Sequence, residues 1–187
     1  MESNFKTSTS SIDDLLIIQR FSRDDSRGFF SKIFNFEDFE QLGLDFQVVQ
    51  INQSLTKKKG SVRGLHFQFP PAAETKMVSC IRGEVFDVAL DLRKGSKSFL
   101  GWHGEVLSEK NFKSLLIPKG FAHGFQTLTD DCEMLYLHTE KYSPELEGAL
   151  NVNDPAIKIQ WPLEISQISE RDKQHPYITQ EFKGVLV

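Results

Sequence analysis

Little in this sequence of 187 residues points to a membrane, an oxidising compartment or nucleic acid. Two cysteines, Cys80 and Cys132, are too few for a disulfide framework. No apolar run approaches the roughly 20 residues a membrane-spanning helix needs, and Met1–Ser11 is polar, without the apolar core of a secretory leader. Basic residues number 22 against 26 acidic ones, so the positive surplus used to hold nucleic acid is missing. Tyrosine is scarce too, with three copies against 16 phenylalanines, which predicts a large aromatic core and makes each tyrosine worth locating. These absences leave the expectation of a soluble cytoplasmic protein that engages neither membrane nor nucleic acid.

Long helical patterns are also lacking. Short apolar runs separated by Gly, Pro, Asp, Asn and Ser clusters predict strands at 15–21, 29–34, 46–51, 61–67, 76–81, 84–92, 112–117, 124–128 and 133–139. One segment, Asn35–Leu44, repeats Phe36, Phe39 and Leu42 at helical spacing, with Asn35 placed to cap it and Gly43 to end it. Many strands and few, short helices predict an all-β jelly-roll sandwich or barrel. Residues 1–11 have little to bury and are expected to form a flexible polar lead, with 12–187 as a single domain.

Alternation places polar groups on particular faces. Asp87 and Asp91 share a face with Val85 and Ala89, opposite Phe86, Val88 and Leu90. Met134, Tyr136 and His138 share another, and His123 lies with Phe125 and Thr127. Such faces suit either the lining of a polar pocket or the wet outside of a sheet, and alternation does not choose between them.

Two segments concentrate chemistry. In Gly60-Ser-Val-Arg-Gly-Leu-His-Phe-Gln68, Arg63 and His66 are an odd number of residues apart and fall on opposite faces of a regular strand. For both to serve one site the strand must bulge, and Gly64 permits it. The segment Ile117-Pro-Lys-Gly-Phe-Ala-His-Gly124 carries Pro-x-Gly-x-x-His, a half-signature of the cupin jelly rolls. Metal-binding cupins pair it with His-x-His and a glutamate, whereas this chain reads His66-Phe-Gln68, so no metal site is expected from His66 and His123. Ser169-Glu-Arg-Asp172 has the spacing of a helix cap.

Together these segments resemble the dTDP-4-dehydrorhamnose 3,5-epimerase family. The resemblance is carried by Asp25-Ser-Arg-Gly-Phe-Phe30, Gln50-Ile-Asn-Gln-Ser54, Arg63-Gly-Leu-His-Phe-Gln68, Lys76-Met-Val, Gly83–Arg93, Ile117–Phe125, Tyr136, Tyr142-Ser-Pro, Asn153-Asp-Pro155 and Ser169-Glu-Arg-Asp-Lys173. It implies a cupin-type jelly roll, a homodimer formed by strand exchange, and a cofactor-free isomerase. The implied reaction inverts C3 and C5 of a nucleotide-linked 4-keto-6-deoxyhexose. Inversion at C5 alone, or another nucleotide sugar, is the alternative; a metal-dependent cupin using His66 and His123, and a sugar-binding module that does no chemistry, rank below both.

The resemblance also assigns roles. His66 corresponds to the base, Asp172 to the carboxylate that orients it, Tyr136 to the acid and Lys76 to the cation near the C4 oxygen. Arg63 and His123 stand beside them, and Arg27, Gln50, Asn52, Tyr142, Glu147 and Arg171 correspond to substrate contacts, Tyr142 stacking on the base and Arg27 reaching across the dimer. The chain departs from the family at Lys32, Ile51, Val152 and Arg171, and at Leu137-His138 after the acid. These departures imply retained proton-transfer chemistry with altered specificity.

Overall fold

The structure is a computed structural model that describes residues 4–187. Two antiparallel sheets face each other. The first runs in the order β1 (Phe5–Thr9), β2 (Leu16–Arg20), β10 (Lys113–Ile117), β7 (Lys76–Arg82), β12 (Cys132–His138) and β5 (Gln50–Thr56). The second runs β13 (Glu147–Ala149), β6 (Val62–Gln68), β11 (Phe121–Thr127), β8 (Glu84–Asp91) and β9 (Trp102–Ser108). A separate hairpin joins β3 (Ser22–Asp25) to β4 (Gly28–Ser31). With only short helices α1 (Phe36–Gln41) and α2 (Glu170–Lys173), this is the expected all-β jelly roll. No helix among the described residues is long and apolar enough to cross a membrane.

Apolar side chains fall into three layers because each sheet has two faces to cover. Between the sheets, Val78, Cys80 and Met134 meet Val85, Ala89 and Phe125. Outside the second sheet, Leu90, Leu92 and Phe67 are covered by C-terminal residues including Ile157 and Val185. Outside the first, Ile18, Met77, Leu116 and Leu137 are roofed by phenylalanines. Phe39 of α1 is the hub there, with Phe5 at 5.2 Å and Phe34 at 5.0 Å, both edge-on. Asn35 caps α1 by accepting from the Asp38 amide at 2.9 Å, and Gly43 takes the left-handed turn that ends it (φ 75°).

The N-terminal expectation needs correction. Residues 5–9, placed in a mobile lead, pair along their whole length with β2, and Phe5 is buried under α1. A polar stretch such as Lys6-Thr-Ser-Thr9 can be an edge strand, since one buried anchor and a row of backbone bonds hold it. Residues 1–3 lie outside the described residues. The strand expected at 46–51 lies later, at Gln50–Thr56. There the apolar Ile51 and Leu55 are exposed, and the neighbouring Asn52 and Ser54 line a polar cavity.

Candidate active site

A cavity of about 760 Å³ opens between the two sheets near the β5 and β13 edges. The first sheet supplies Asn52, Ser54, Lys76, Tyr136 and His138; the second supplies Arg63, His66, His123 and Glu147; α2 brings Arg171 and Asp172, and the segment before β13 brings Tyr142. Of the polar faces that alternation left undecided, Tyr136, His138 and His123 line this pocket, whereas Asp87 is buried behind His123 and Asp91 is bonded to Arg93, Ser96 and Ser98 away from it.

Arg63 and His66 both reach this cavity through the bulge that their spacing requires. The β11–β6 register slips between His123 and Phe125, so that His123 faces His66 while Phe125 faces Arg63. Gly64 sits in the slip at φ 118°, and a Cβ there would lie 2.7 Å from the Gly124 Cα and the His123 carbonyl oxygen. No other residue type fits that approach without moving backbone.

His66 Nε2 lies 3.0 Å from Asp172 Oδ1, and the Gly64 amide donates to Oδ2 at 3.3 Å. Burial works against ionising Asp172, but the hydrogen bond and charge of His66, helped by the Gly64 amide, outweigh it and hold the carboxyl at about 2. An ionised carboxylate only accepts, so Nε2 of His66 carries the proton and Nδ1 keeps a lone pair. The Ser169 hydroxyl accepts from the Asp172 amide at 3.0 Å, so the capping spacing is real and Asp172 serves helix and histidine together.

Across the cavity, the Tyr136 hydroxyl is 2.9 Å from Ser54 Oγ. Burial, with the Asp87 charge adding to it and the Ser54 bond opposing it, pushes this phenol up to about 12. Its ring stands edge-on to His123 at 6.2 Å. His123 in turn donates to the fully buried Asp87, 2.9 Å from Oδ2. Arg63 is tied back by Nε donating to Thr56 Oγ1 at 2.8 Å. Lys76 Nζ bonds Glu74 Oε1 at 2.9 Å, and His138 Nδ1 donates to Glu74 Oε2 at 2.7 Å. Burial raises the Glu74 carboxyl, yet His138 and Lys76 prevail and bring it to about 2. At the mouth, Glu147 accepts from Tyr142 Oη at 2.9 Å and pairs with Arg171.

Arg27 and Gln50 are the expected contacts that do not line the cavity of this chain. Arg27 sits at the tip of the β3–β4 hairpin with its side chain 88% exposed and paired only to Asp25. Gln50 acts from behind, its Oε1 accepting from the Tyr142 amide at 3.1 Å. Of the departures expected to alter specificity, Lys32 bonds Asp38 of α1 and Val152 is buried beneath the second sheet, neither at the cavity. Glu74, Ser54 and His175 were not picked out from sequence. His175 follows Asp172 by one helical turn, a spacing that marks it as a neighbour; Glu74 and Ser54 carry no comparable signal.

Comparison with known proteins places this arrangement. Residues 9–180 match the family described as dTDP-4-dehydrorhamnose 3,5-epimerase. The chain is 45% identical over 173 residues to the dTDP-4-dehydrorhamnose 3,5-epimerase of Salmonella typhimurium, covering 91% of this chain and 94% of that one. It is similar to the crystal structure of the Bacillus anthracis enzyme of that name, with TDP and PPi bound (TM-score 0.90, 37% identity, 93% of this chain and 99% of the other). The Legionella pneumophila dTDP-6-deoxy-D-glucose-3,5-epimerase, in complex with dTDP-4-keto-L-rhamnose, gives a TM-score of 0.85 at 41% identity, covering 90% of this chain and 89% of that one.

Proposed function

Since the chain belongs to the dTDP-4-dehydrorhamnose 3,5-epimerase family, we propose that its cavity inverts C3 and C5 of dTDP-4-dehydro-6-deoxy-D-glucose by paired proton transfers. Both carbons flank the C4 ketone, which makes their protons acidic and lets one base serve both. Inversion takes the proton from one face and returns it to the other, so a base and an acid are needed on opposite sides of the ring.

The observation that carries this reading is the placement of His66 and Tyr136. His66 stands on β6 of one sheet with Asp172 holding its tautomer, and Tyr136 stands on β12 of the opposite sheet, protonated at neutral pH. His66 Nδ1 takes the proton, and the Asp172 carboxylate stabilises the imidazolium that forms. The electrons move to the C4 oxygen, where Lys76, with Arg63 and His123, offsets the charge. Tyr136 then delivers a proton from the other side. Only protons move, so the reaction requires no redox group and is written without a cofactor or metal.

Tyr142, half exposed at the mouth, offers a ring for the thymine, and Arg171 is the nearby cation for the diphosphate. Arg27 fits as a contribution from a second copy. The hairpin that carries it exposes Phe29 and Phe30, and the β5 edge exposes Ile51 and Leu55, surfaces suited to strand exchange in a homodimer. Within this reading residues 12–187, with β1 added as the edge strand of the first sheet, act as one catalytic domain. Chelator-washed protein mixed with the dTDP-4-keto sugar is expected to yield the L-configured 4-keto product by NMR. Unchanged substrate would reject the proposal.

A further inference from the structure

One side chain beside the cavity, His175, has no part in the proton transfers above, yet it meets the two groups that do, His66 and Asp172. His175 Nε2 lies 3.1 Å from Asp172 Oδ1 and 3.3 Å from His66 Nε2, which closes a triangle with the 3.0 Å His66–Asp172 contact. We propose that His66, Asp172 and His175 form a binding site for a divalent transition-metal ion such as zinc, and that filling it switches the base off.

The geometry supports an ion rather than a chance meeting of side chains. Ligand bonds of about 2.0–2.1 Å in a tetrahedron give ligand–ligand edges of about 3.3 Å, close to the triangle found here. Ring orientation agrees as well. Two imidazoles aiming Nε2 at a shared tetrahedral ion have ring centres about 5.2 Å apart by the same arithmetic, and those of His66 and His175 are 5.3 Å apart. Two imidazoles and one carboxylate are a donor set that zinc accepts, with water as the fourth ligand. No other group of three such ligands converges among the described residues. Entry is open from two sides, because His66 lines the main cavity and His175 lines a second one of about 460 Å³.

Loading changes the chemistry of His66 directly. Without the ion, Nε2–H donates to Asp172 and Nδ1 holds the lone pair. An ion bound at Nε2 takes that nitrogen's electron pair, and the displaced proton moves through solvent to Nδ1. The ring then has no lone pair for a carbon-bound proton. This consequence rests on His66 being the base; the site itself does not.

Zinc chloride titrated into the chelator-washed full chain and into His175→Ala tests both parts. Bound ion is counted by competition with a chromophoric chelator, and deuterium exchange into the dTDP-4-keto sugar is followed in parallel. Wild type is expected to bind one equivalent and lose exchange by about a hundredfold, the share a general base supplies, with KM unchanged. His175→Ala is expected to bind no such equivalent and to keep its own metal-free exchange rate when zinc is added. Equal binding by both proteins, or none by wild type, overturns the site. Undiminished exchange by the loaded wild type overturns the switching. Cobalt(II) covers the case of a misfolded variant: wild type should show the intense visible bands of a tetrahedral ion, and their absence rejects the site. If metal-free wild type exchanges no deuterium, the epimerase reading fails while the metal count still decides this one.

Discussion

Replacing Asp172 by Asn removes one charge and almost no volume, and its effect can be worked from the contacts. The amide of residue 172 still donates to Ser169, so the cap of α2 survives. The side chain loses twice. Charges about 4 Å apart are worth about 1–4 kcal/mol between bulk-water and near-surface screening, and this attraction exists only once His66 becomes cationic, so it favours the transition state alone. The amide also cannot accept on both sides. Its oxygen satisfies either the Gly64 amide or the His66 and His175 edge, and an NH2 facing His66 would select the tautomer whose Nδ1 is protonated. We therefore expect kcat to fall by about a hundredfold to a thousandfold at nearly constant KM. The assay is NMR-followed deuterium exchange at C3 and C5, with both positions slowed together in a protein that a cooperative thermal melt shows to be folded. An unchanged kcat in a folded Asp172→Asn protein would refute the dyad argument.

Other expectations follow from the same contacts. Glu74→Gln breaks a buried pair; Glu74 falls from 4.5 to about 2, which corresponds to about 3 kcal/mol of stability. A depressed carboxyl stabilises the fold above its ordinary titration and stops doing so as pH falls toward 2. The difference between wild type and variant in urea melts should thus be full at pH 7 and vanish near pH 2; a constant difference would contradict it. Tyr136 must be protonated to act, and with its phenol near 12 the exchange-coupled inversion rate should show no alkaline decline around pH 10, where an unperturbed phenol would produce one. Gly64→Ala forces a Cβ against two backbone atoms and should cost about 2–4 kcal/mol in chemical denaturation, together with most of the activity, since Arg63 and His66 share the cavity only through that bulge.

How far the sequence alone reached depends on whether the signal was local. Strong apolar alternation revealed β7, β8, β10 and β12, and the Asn35 cap with the Gly43 stop located α1. Polar strands escaped it. β1 and β9 are edges whose residues face solvent on one side, β3 is a charged hairpin arm, and β13 is three residues long. The odd spacing of Arg63 and His66 meant that a site shared by both needs a bulge, with Gly64 to permit it, and the structure has that bulge. Long-range partnerships were of another kind: nothing local links Asp172 to His66 across more than a hundred residues, and family resemblance alone suggested it. The Glu74–His138–Lys76 cluster was out of reach because it joins a loop to two strands that become neighbours only on folding.

The claim on which the account turns is that His66 removes protons from one side of the sugar and Tyr136 returns them from the other. A single experiment addresses it: the dTDP-4-keto sugar is incubated in deuterium oxide with wild type, His66→Ala and Tyr136→Phe, and NMR reads deuterium and configuration at C3 and C5. Wild type should give label with inversion, His66→Ala neither, and Tyr136→Phe label with little inversion. Label appearing with His66→Ala, or full inversion with Tyr136→Phe, would contradict the assignment of base and acid.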